Sequence, residues 1–91
     1  MLNQRFWLTY RRKYGSRLLG VVIIDSTSID QAHMSAAAAG IDGGGEFVEG
    51  QEVDRTIAKL IPVTAVGRML EPDKAHKLLD QFERRISRRA P

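Results

Sequence analysis

Ninety-one residues, 43% hydrophobic and 27% charged, fit one small globular α+β domain over 1–91 and argue against general disorder. The absence of cysteine excludes a disulfide framework and thiolate zinc sites, and the longest apolar run, residues 18–24, is far too short for a membrane span. The formal net charge of +3 hides segregation: residues 1–24 hold five bases and no acid, 25–54 seven acids and no base, and 55–91 nine bases against four acids.

Residues 6–14 are rich in aromatic and β-favouring side chains, Gly15-Ser16 is a turn signal, and 17–25 is β-branched and aliphatic. The pattern predicts a hairpin with glycine first in a two-residue type II′ loop. Its register would pair Tyr10 with Val21, Leu8 with Ile23 and Phe6 with Asp25. Side chains alternate across a strand, so Phe6, Leu8, Tyr10, Leu19, Val21 and Ile23 are expected on the core face. The other face would carry Trp7, Arg11 and Lys13 beside Leu18, Val22 and Ile24.

Ser28 with Gln31 three residues on is a capping box for an alanine-rich helix over 29–39, which Gly40 ends. Residues 46–53 read as a third strand interrupted by Gly50. Asp54 caps a short helix over 55–61, stopped by Pro62, and residues 62–70 have no assignment. Pro72 and Asp73 open a long amphipathic helix to about residue 88, with Ala75, Leu78, Leu79, Phe82 and Ile86 as its apolar stripe. The element order is therefore β-β-α-β-α-α. It predicts a three-stranded, mostly antiparallel sheet (a split β-α-β unit) with helices packed over the Phe6/Leu8/Tyr10 face and the last few residues disordered.

Few groups point to chemistry. The 40–45 glycine loop follows a helix and precedes a strand, the reverse of a phosphate cradle, and reads as a connector. The acids Asp42, Glu46, Glu49 and Glu52 lack the spacing of a calcium loop, with Glu46 and Glu49 expected on opposite faces and Glu46 and Glu52 on one. His33 and His76 lack a third ligand partner and read as helix-surface histidines, so no metal and no cofactor are expected. An enzyme or small-ligand protein using Asp25, His33 or the loop acids would carry no recognisable motif, and no catalytic residue is assigned.

Two features point to partners. Arg5, Trp7, Arg11 and Lys13 place an aromatic ring among cations on one strand, and Arg84, Arg85, Arg88 and Arg89 crowd the end of the last helix. Together they could stack bases and hold phosphates of single-stranded RNA or DNA. The simpler expectation is that Trp7, Leu18, Val22 and Ile24 form an apolar strip buried against a second copy or another protein. The sequence thus predicts a non-catalytic interaction module, possible homodimer, with nucleic-acid binding as the alternative. The default setting is a bacterial cytoplasm without membrane association.

Overall fold

The computed structural model describes residues 3–15 and 17–89, with the side chains of helical residues described to Glu83. Strands β1 (Gln4–Arg11) and β2 (Leu18–Ser26) are followed by α1 (Ile29–Ala38), β3 (Glu46–Glu52) and α2 (Arg55–Ala58). A 3₁₀ turn (Val63–Ala65), β4 (Met69–Leu70) and α3 (Pro72–Arg89) complete the chain. The architecture is α+β, with a four-stranded sheet in the order β3-β1-β2-β4 whose named strand pairs are all antiparallel. Three strands were expected. The fourth comes from the unassigned stretch: Met69 and Leu70 pair with Val22 and Val21, and Gly67 N–H donates to the Ile23 carbonyl at 2.7 Å.

The hairpin register is one residue away from the expected one. Phe6 opposes Ile24, Leu8 opposes Val22 and Tyr10 opposes Gly20, after which the ladder shifts so that Arg11 opposes Leu18 and Leu19 is left over. Arg12 N–H donates to the Arg17 carbonyl at 2.9 Å, so the loop spans four residues rather than two; Ser16 of the expected turn lies outside the described residues. A slip of one residue moves every β2 side chain to the opposite face. Val22 therefore joins Phe6, Leu8 and Tyr10, while Val21 and Ile23 face the other way.

That exchange gives the sheet two buried faces. On one, α1 seats Ala32 and Ala36 against Phe6, Leu8, Tyr10 and Val22; all but Phe6 are fully buried. On the other, α3 lays Ala75, Leu78 and Phe82 over Val21, Ile23 and Leu70, with Ile61 and Ala65 beside them. The expectation that the helices gather on the Phe6 face is thus corrected: an apolar β2 needs cover on both sides, and α1 and α3 divide the task. Gly20 makes the fourth strand possible, because a Cβ there would meet the Leu70 carbonyl oxygen and the Met69 sulfur well inside contact distance.

The helix ends follow their local signals. Ser28 Oγ accepts from Gln31 N–H at 3.1 Å. Beyond α1, Gly40 (φ 71°) donates to the Ala37 carbonyl and Ile41 to that of Ala36, the paired bonds of a Schellman cap. Asp54 accepts from Thr56 N–H at 2.8 Å. α2 ends at Ala58 rather than at 61, since Pro62 keeps Ile61 out of the helical region and the chain tightens into i→i−3 bonds at Leu60 and Ile61.

Candidate functional site

The α3 face of the sheet is not wholly covered. Between the β1/β3 side of that face and α3 runs a groove of about 490 Å³. Trp7, Val21, Ile57 and Phe82 give it an apolar lining, and Leu18 and Leu79, each 40% exposed, stand along it. Trp7 packs part-buried against the Val21/Ile23/Phe82 cluster. Among the described residues the charged lining is one-sided: Glu49, Glu52 and Asp54 are carboxylates, His76 is the one residue able to carry positive charge, and no Lys or Arg contributes.

A bulge in β3 sets how its acids are distributed. Glu46 opposes Arg11 and Glu49 opposes Thr9, because the β1–β3 ladder shifts between Thr9 and Tyr10 and leaves Val48 over. The extra residue inverts the alternation beyond it. Glu46 and Glu49 thus share the Trp7 face, and Glu52 falls opposite Phe6. The expected assignment of these three acids is corrected accordingly.

Two of the cations expected around Trp7, Arg5 and Arg11, are engaged elsewhere. Arg5 grips Asp25 with two hydrogen bonds, Nε to Oδ1 at 2.7 Å and Nη2 to Oδ2 at 3.0 Å, while Nη1 donates to the Ala58 carbonyl at 3.0 Å. The hydrogen-bonded guanidinium holds the Asp25 carboxyl below the usual carboxylate range, and the carboxylate in turn raises Arg5. Arg5 is thereby a clamp between the hairpin and α2. Arg11 bonds Glu46, Nε at 3.0 Å and Nη2 at 2.9 Å. Lys13 lies exposed in the hairpin loop next to Tyr14, which is 96% exposed. The side chains of Arg84, Arg85, Arg88 and Arg89 lie outside the described residues.

The predicted apolar strip does not hold together as one surface. Trp7 and Leu18 line the groove, but the register turns Val22 into the α1 core and leaves Ile24 beside it. Its place is taken by Leu79 and Ile57, which come from helices and share no sequence pattern with the hairpin.

On the opposite face lies a cluster that sequence reading missed. Tyr10, fully buried, shares a 3.2 Å hydrogen bond between its hydroxyl and His33 Nδ1, and the His33 ring stacks on Phe47 with centroids 4.6 Å apart. Burial pushes the Tyr10 phenol up, with Asp42 adding to the effect. His33 is therefore a packed side chain rather than a plain surface histidine. Asp25 stands on the other face of the sheet, opposite Arg5, so the two groups considered for catalysis do not meet. Among the described residues no three His, Cys, Asp or Glu are grouped to hold a metal ion, and no helix is long and apolar enough to cross a membrane.

Comparison of the chain with family models, with curated proteins and with solved structures finds no match in any of the three.

Proposed function

We propose that this protein is a non-catalytic interaction module that docks partner chains through the Trp7 groove. The observation that carries this reading is the groove's chemistry: a part-buried tryptophan between exposed Leu18 and Leu79, framed by Glu49, Glu52 and Asp54, with no lining Lys or Arg among the described residues. Aromatic anchors in a desolvated centre with a charged rim are what protein interfaces use. The complementary partner is an apolar segment flanked by Lys or Arg. The shifted groups Arg5, Asp25 and Tyr10 lie outside the groove, and each shift has a structural cause, in an ion pair or in burial. Phosphates are a poor match to three carboxylates, which moves single-stranded nucleic acid to second place. A cysteine-free chain suits a reducing cytoplasm.

Trp7 is the only tryptophan, so its emission reports on the groove alone. The expected result is partly blue-shifted emission that an arginine-flanked apolar peptide shifts further and that mixed-sequence single-stranded RNA leaves unchanged. Quenching by RNA at low salt, reversed at ~0.5 M salt, would overturn the reading in favour of a nucleic-acid site.

A further inference from the structure

The face that carries the groove is charged differently at its two ends. At one, Glu52 opposes Phe6 across the β1–β3 ladder, and Glu52 and Asp54 line the groove. At the other, Leu18 lines the groove opposite Arg11, and the chain turns there through exposed Arg12, Lys13 and Arg17. Phe6 and Arg11 are separated by about 17 Å of extended strand. A patch whose acids, Glu49, Glu52 and Asp54, stand beside and beyond Trp7, and whose free bases gather at the hairpin loop, becomes its own complement after a half-turn.

We infer that the groove's occupant is a second copy of this chain, docked face to face about a twofold axis. Trp7, Leu18 and Leu79 are buried between the copies, and each hairpin tip, with Lys13 and Arg17, lies over the other copy's Glu52 and Asp54. The inference rests on the groove being the docking surface, and it names the partner.

Sedimentation of the full chain from ~1 µM to ~1 mM tests it, the range in which modest protein affinities fall. The expected mass rises to twice that of the chain as concentration increases. Leu79→Arg, at a position exposed in the single chain, leaves the circular dichroism unchanged and abolishes the rise. Arg17→Glu weakens association by about tenfold or more, and Arg17→Glu combined with Glu52→Lys restores it. A monomer at every concentration overturns the dimer, as does a dimer indifferent to both Leu79→Arg and Arg17→Glu. If such a monomer still takes up the arginine-flanked peptide at Trp7, the groove remains a docking site for another chain and only the identity of the partner fails.

Discussion

Arg5 and Asp25 sit opposite each other on β1 and β2, so a pair invisible in the charge blocks becomes a staple across the hairpin. The Asp25 side chain is 42% exposed, which screens the interaction. Its carboxyl titrates below its unfolded value of about 3.9, so the unfolded state binds more protons there. The stabilisation is present above that value and disappears as pH falls through the depressed folded value. Asp25→Asn is therefore expected to cost under about 1 kcal/mol near neutral pH and nothing in strong acid, as read by urea unfolding at the two pH values. A cost that persisted in acid would mean that packing, rather than charge, holds Asp25. Tyr10 runs the other way: its raised phenol favours the neutral, buried form, and that contribution is lost only as pH climbs above the ordinary tyrosine range.

Among the elements, α1 shows how a weak sequence signal can conceal a tight fit. Ala32 and Ala36 are fully buried against the sheet, and β3 contributes Gly50, where a Cβ would press on Ile29 and Leu8. Small side chains on both partners let helix and strand approach closely, and they leave no room for a larger one. Ala36→Leu is expected to destabilise by about 1–3 kcal/mol despite its good helix propensity, lowering Tm by roughly 4–8 °C per kcal/mol in thermal unfolding. An unchanged Tm would mean that α1 can lift off its strands. α3 carries the opposite arrangement: Ala75, Leu78 and Phe82 of its predicted stripe are buried, while Leu79 is left at the groove's edge. One helix thereby contributes to both the core and the groove.

For the whole molecule, α1 covers one face of the sheet and α3 much of the other, leaving the Trp7 groove open beside it, so the proposed pairing would link stability to association. If copies pair through that groove, unfolding releases them, and Tm must rise with protein concentration by mass action. Scans from ~10 µM to ~500 µM are expected to show a rise of several degrees in the native chain and none in Leu79→Arg. Equal slopes for the two chains would separate folding from the groove.

Local signals were enough to locate most elements. Ser28, Gly40, Asp54 and Pro72 act through hydrogen bonds and dihedral limits that span a few residues, so the starts of three helices and the glycine cap of one are legible in the chain. The same holds for the apolar stripe of α3 as far as Phe82. Register was decided elsewhere. The extra residues at Leu19 and Val48 are ordinary in composition, yet each inverts an alternation, and together they choose which face Val22, Ile23 and Glu49 occupy. β4 is two residues long and exists because Gly20 lets it approach β2, a contact between positions fifty residues apart in the chain. The groove has the same origin. Its lining comes from β1, β2, β3, α2 and α3, and the acids that surround Trp7 lie more than forty residues from it in sequence. Capping, periodicity and charge blocks are short-range properties and could be read directly. Bulges, strand addition and the meeting of Trp7 with carboxylates depend on long-range packing, which only the folded chain expresses.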